Sequence, residues 1–268
     1  MKKFLLRKYF DTISVDNNVY LPKKICIGLL IVCVVLGGIF RFLAWWQDPI
    51  ISRDGLVYIQ WAEDLQAYGG DFELLSRTFG QYPQSPLFIS ILACNVGGIS
   101  PHGIGVTMNI ILGSCFSIVV FGILYQISRS PVIGLTGAFF AAIHPTLINY
   151  SIELQREMGY LFFAGCFFYC ILYEFRHINW YAAAGAGMSA VMAFFFRYEG
   201  IELFLFAVII FVTMFCWKKI TLQEIFNHII IFIVASCLCI GGVLTITGKA
   251  PKAWLRDDLK KIEKYIHV

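Results

Sequence analysis

The chain has 268 residues, 59% of them hydrophobic and 14% charged, with a mean hydropathy of +0.73. Soluble globular domains carry about a quarter charged residues, so a soluble fold is excluded, and the alternating apolar and polar pattern of an outer-membrane barrel is absent. The net charge of +4 identifies no partner by itself and gives no reason to expect nucleic acid.

Residues 1–24 read as a cytoplasmic segment, without the sustained apolar region or small-residue cleavage site of a signal peptide. Ile25 to Trp46 is the first span, with Lys23 and Lys24 on one flank and Trp45 and Trp46 on the other. Lysine inside and tryptophan at the far boundary put the N-terminus in the cytoplasm. The long polar stretch from Arg53 to Leu87 then faces outward. Within it, Asp54, Tyr58, Trp61, Ala62 and Leu65 recur at helical spacing, with Gln60, Glu63 and Asp64 opposite. This predicts a helix lying along the outer surface, with Asp54 placed to cap its first turn.

Pro86 to Gly98 is apolar but only 13 residues long. As a helix it covers about 20 Å, too short to cross a bilayer, and it is expected in, or dipping into, the outer interface. Spans follow at 103–127, 131–149, 157–175, 180–196, 200–217 and 223–247. With seven crossings, Arg129, Arg176, His177, Lys218 and Lys219 all fall on the cytoplasmic side, as the positive-inside tendency requires. The expected fold is therefore an all-α integral membrane protein of seven transmembrane helices with two juxtamembrane helices in the first external loop. Residues 25–247 make one polytopic module. Residues 248–268 form an external or interfacial tail, with Leu255, Leu259, Ile262 and Ile266 on one helical face.

This topology gathers ten acids at the outer ends of spans: Asp48, Asp54, Glu63, Asp64, Asp71, Glu73, Glu153, Glu157, Glu199 and Glu202. Arg53, Arg77, Arg156 and Arg197 share that side. Wet loops carry charge for solubility, but Glu157, Arg197 and Glu199 abut apolar runs, where an unpaired charge is expensive. They are candidates either for a site or for ion pairs between helix ends. Asp48 is a second candidate base, in a QDP turn that also suits a structural role. His102 and His144, beside prolines at helix ends, are explained by the polarity of those ends. The nine cysteines all lie in apolar segments, where they behave as small hydrophobes. Cys166 and Cys170 sit one turn apart without a metal-binding pattern around them.

An acid just after the first span, then G…Y…A..L, then YP..PL leading into an apolar stretch, resembles the first external loop of type C glycosyltransferases. The similarity is to the bacterial branch that includes protein O-mannosyltransferases and lipid A aminoarabinose transferases. HPTLINYSIELQREMGYLFF resembles that family's Pro, Ser, acid motif, with Glu157 as the acid. RYEGIELFL resembles its Arg-x-Glu-Gly segment at Arg197, Glu199 and Gly200. Together the motifs cover roughly Ile25 to Leu244. Where the aminoarabinose branch has an acid and a lysine before a double proline, this chain has Gln81 and Tyr82, and Gln84 with Ser85 separates the prolines.

The resemblance implies a membrane glycosyltransferase in the bacterial plasma membrane. Such an enzyme moves a sugar from a polyprenyl-phosphate donor to a lipid, glycan or protein acceptor on the external face. It implies Asp54 as the catalytic base, with Arg53, Tyr58, Tyr82, Arg156, Glu157, Arg197 and Glu199 binding substrate. The arginines would meet the leaving phosphate, and carboxylates would favour an oxocarbenium-like transition state. The sequence leaves metal dependence open; Asp54 and Glu157 have the chemistry to share Mg²⁺ or Mn²⁺, but no spacing demands it. The small residues at 182–190 suit close helix packing, or a groove for the lipid tail. Two other readings stand beside this one. The first is a transporter or flippase for a lipid-linked sugar, although such proteins bind near the bilayer midplane. The second is a non-catalytic partner subunit of a split or truncated transferase, since family members usually continue with further spans.

Overall fold

A computed structural model describes residues 21–49, 51–71, 85–94, 98–216 and 221–247. Residues 1–20 of the N-terminal segment, the 248–268 tail, Tyr82, Glu73, Arg77, Lys218 and Lys219 lie outside the described residues. Those described are helical: α1 (Lys23–Gln47), α2 (Arg53–Ala67), α3 (Pro86–Leu92), α4 (Pro101–Ser128), α5 (Pro131–Ile143), α6 (Pro145–Ile152), α7 (Glu157–His177), α8 (Trp180–Phe196), α9 (Ile201–Cys216) and α10 (Leu222–Thr247). A single 3₁₀ turn at Tyr198–Gly200 joins α8 to α9.

Helix starts follow local chemistry. Ser100 and Ser130 each accept a backbone N–H through the side chain, and proline follows at the first helical position, where its missing N–H costs nothing. Thr221 and Glu224 form a reciprocal capping box at the start of α10. The first turn of α2 is capped by Ser52, whose Oγ accepts Gly55 N–H at 3.0 Å. Asp54, expected to be the cap, is instead an exposed residue within the first turn.

Among the described residues, five helices, one of them including the 3₁₀ turn, are long and apolar enough to cross a membrane. The span expected at 131–149 is two helices, α5 and α6, meeting at 49° across His144. Pro145 causes the break, because it cannot donate to Ala141. Counted as one, the bent pair makes six; α8 is apolar but has only 17 residues.

α4 packs between α5 and α7, α1 lies across α4 and α5, and α8 sits between α7 and α10. The small residues of α8 serve this packing. A Cβ on Gly187 would lie 2.5 Å from the Phe232 carbonyl of α10, so the two backbones approach as only glycine allows.

The interfacial segment differs from expectation. Its helix, α3, is only seven residues long, and all but Ile91 are buried. It is enclosed by α2, α4, α8 and α10. Above it, α2 buries the face foreseen from its spacing: Tyr58, Trp61, Ala62 and Leu65. These residues join Leu87, Phe88, Ile89, Leu92, Phe195 and Phe196 in one apolar cluster. Tyr58 meets Phe88 edge to face at 5.4 Å.

Candidate functional site

Around this cluster, at one end of the bundle, the polar residues of four segments come together. Arg197 follows α8 directly, and the 3₁₀ turn brings Glu199 back beside it. Its Nε and Nη2 donate to the two carboxylate oxygens of Glu199 at 3.1 and 2.6 Å. Its Nη1 reaches Glu157, the first residue of α7, at 2.8 Å. The guanidinium also lies 5.9 Å from the Tyr160 ring. Paired carboxylates, the bidentate Glu199 foremost, raise the Arg197 pKa above its ordinary value. Gly200 makes the turn feasible, because a Cβ there would lie 2.4 Å from the backbone nitrogen of Phe194.

Arg156 is held differently. Its Nη1 donates to Ser85 Oγ at 2.8 Å, and Ser85 donates to the Phe196 carbonyl at 2.5 Å. Its Nε is buried without a hydrogen-bond partner among the described residues. No carboxylate forms an ion pair with it among those residues. Two non-glycine residues beside it adopt left-handed backbone, Ser85 at φ 60° and Leu154 at φ 52°. Such conformations persist where the surroundings over-determine them, which is common at functional sites.

Tyr58 connects these groups to the first loop. Burial pushes its hydroxyl pKa above the ordinary value; Arg156 and Arg197 act against that shift, while Glu157 and Asp54 add to it. All four charges therefore act on one phenol. Asp54 and Arg53 are exposed in the first turn of α2. The Ser52 backbone N–H donates to the Glu153 carbonyl at 3.4 Å, which ties the start of α2 to the loop carrying Arg156. Among the described residues, no group of three His, Cys, Asp or Glu side chains is arranged to hold a metal. Asp48, the other candidate base, is the exposed C-cap of α1, where its backbone N–H donates to the Ala44 carbonyl.

Two further polar centres were not singled out from the sequence. Arg41 is wholly buried within α1. It donates to Ser151 Oγ at 3.1 Å, to the Gly37 and Ala142 carbonyls at 2.9 and 3.0 Å, and to the Ala141 carbonyl at 3.4 Å. It thereby satisfies the α5 carbonyls freed by the break before Pro145, and its charge suits the negative end of that helix. Toward the other end of the bundle, Glu174 and His228 are buried 2.7 Å apart, and Glu174 also accepts Asn179 N–H at 2.9 Å. A lone ionisable residue inside an apolar span is the signal that marks all three. No family model, curated protein or solved structure matches the chain.

Proposed function

We propose that this chain is a membrane glycosyltransferase that uses a polyprenyl-phosphate sugar. The supporting observation is that Arg156, through Ser85, is held against the end of α8 beside Arg197 and Glu157, with Asp54 acting electrostatically on the same Tyr58 as these charges. An exposed acid on the same side of the bundle as a guanidinium with an unused buried N–H suits transfer of a group from a phosphate. In this reading Asp54 takes the proton from the acceptor hydroxyl or amine. The acceptor atom bonds to the anomeric carbon as the bond from that carbon to the phosphate oxygen breaks. The electron pair leaves with the lipid phosphate, and its growing charge is met by Arg156.

The geometry refines the roles. Arg197 is occupied by two carboxylates and fixes the ends of α7, α8 and α9. Among the described residues, Arg156 and the exposed Arg53 are the arginines left for phosphate. Glu157 and Glu199 then act by holding Arg197.

Seven crossings complete the proposal. Glu157 and Glu174 are separated by about 26 Å along α7. α8 is tied to α7 near both ends, through Arg197 to Glu157 and through Asn179 to Glu174. Its 17 residues therefore cover nearly the same depth as a full span. The Arg197 end carries nine described acids and three arginines at its boundary, whereas Lys23, Lys24, Arg129 and Arg176 mark the opposite end. That asymmetry supports an external position for the Arg197 end.

A second reading, a transporter for a lipid-linked sugar, draws on the broken α5–α6 span and the intramembrane Arg41 beside it, since transporters place sites at broken helices. Asp54→Asn, expressed to the wild-type level in cells, separates the two. Loss of a surface-glycan modification, with lipid-linked donor accumulating on the outer leaflet, supports transfer. Accumulation on the inner leaflet supports transport. An unchanged glycan refutes Asp54 as the base.

A further inference from the structure

At the end of the bundle opposite Asp54, α4 and α7 finish side by side. α4 stops at Arg129, which takes left-handed backbone at φ 61° while its N–H donates to the Tyr125 carbonyl. Arg176, in the last turn of α7, donates from Nη2 to the Ile127 carbonyl at 3.1 Å. That bond draws its guanidinium across the end of α4, to within two residues of Arg129. Arg129 is close enough to act electrostatically on Arg176.

Like charges at such a corner repel unless an anion sits with them. The described acids at this end are already engaged. Glu174 is buried against Asn179 N–H and His228, and Glu224 caps α10 through Thr221. The corner therefore carries uncompensated positive charge among the described residues.

Aromatic residues fix its depth. His177 lies against Tyr173 with ring centroids 4.5 Å apart. Trp180 and Tyr181, which begin the next helix, are 50% and 66% exposed. Exposed tryptophan and tyrosine at span ends mark the headgroup level of a bilayer, so an anion reaching this corner meets it at the membrane surface.

We propose that Arg129 and Arg176 form a binding site for the phosphate of an anionic phospholipid headgroup. The inference does not depend on the transferase reading, because it uses neither Asp54 nor any residue near it. A guanidinium fork on each side suits a phosphodiester, and net negative charge selects acidic over zwitterionic lipid.

The full chain, reconstituted in nanodiscs of equal phosphatidylglycerol and phosphatidylcholine, is released into the gas phase and its retained lipids counted by native mass spectrometry. Wild type is expected to retain phosphatidylglycerol preferentially. Each of Arg129→Gln and Arg176→Gln reduces that preference about fivefold, while Arg129→Lys and Arg176→Lys largely preserve it. Equal retention of the two lipids by wild type overturns the proposal without any variant. An undiminished preference in a folded Arg129→Gln and Arg176→Gln double variant overturns it as well. Displacement of the lipid by millimolar inorganic phosphate overturns the assignment to a lipid headgroup and gives the corner to a soluble anion.

Discussion

Replacing Arg41 by methionine tests the account of the broken span. The substitution leaves the Ala141 and Ala142 carbonyls without their donor in an apolar interior. Ala141 cannot recover a helical bond, because the residue four positions later is Pro145. Two orphaned buried acceptors cost about 2–6 kcal/mol together. Methionine needs no desolvation of a charge, which offsets part of that, so a net loss of ~2 kcal/mol or more is expected. In a chain of this size that lowers Tm by about 4–8 °C. The assay is thermal unfolding in one detergent, followed through tryptophan fluorescence. Pro145→Ala supplies an N–H able to serve Ala141, so Arg41→Met should cost about 1 kcal/mol less in that background. Melting of Arg41→Met within about 1 °C of wild type, or strict additivity with Pro145→Ala, would refute the reasoning.

Gly200→Ala should destabilise by about 1–3 kcal/mol, because its Cβ would overlap the Phe194 backbone; thermal unfolding measures it. Arg197→Lys keeps the charge and loses the two-pronged contact to Glu199. A loss of about 1–3 kcal/mol is expected, read in the same assay. Tyr58 has a folded pKa above its unfolded value. Its contribution is therefore fully present below about pH 10 and lost as pH rises through the folded value. Tyr58→Phe should melt with a flatter dependence between about pH 9.5 and 11, and parallel pH profiles for the two proteins would contradict this. Arg156→Ala should lower apparent affinity for a polyprenyl-phosphate sugar about tenfold or more. Binding to vesicles carrying that lipid, compared with vesicles lacking it, checks the effect.

What could be read from the sequence was what depends on neighbours along the chain. The buried face of α2 follows from a 3.6-residue period, which needs no knowledge of the partner helix. Ser52 and Asp54 are both good capping residues two positions apart, and only the position of the first turn decides between them. The bend at His144 carried a signal in Pro145, but continuous hydropathy on both sides concealed it. Arg41 shows the limit more sharply. Its partners lie about a hundred residues further on, so a lone arginine in an apolar run announces a need without naming what meets it. The gathering of acids and arginines at one end followed from counting spans. That Arg197 takes both glutamates while Arg156 takes a serine depends on how α7 and α8 sit against each other.

Ser85 has a consequence for how the protein is made. Its left-handed backbone is held by a donor just before α7 and an acceptor at the end of α8, and α3 behind it is also walled in by α10. As the chain leaves the ribosome, those walls are synthesised long after α3 itself. The short helix can therefore complete its packing only once the last described helix is in place. Although α3 is made early, it is thus among the last described helices to gain all its neighbours, and a chain interrupted before α10 would leave one side of it uncovered.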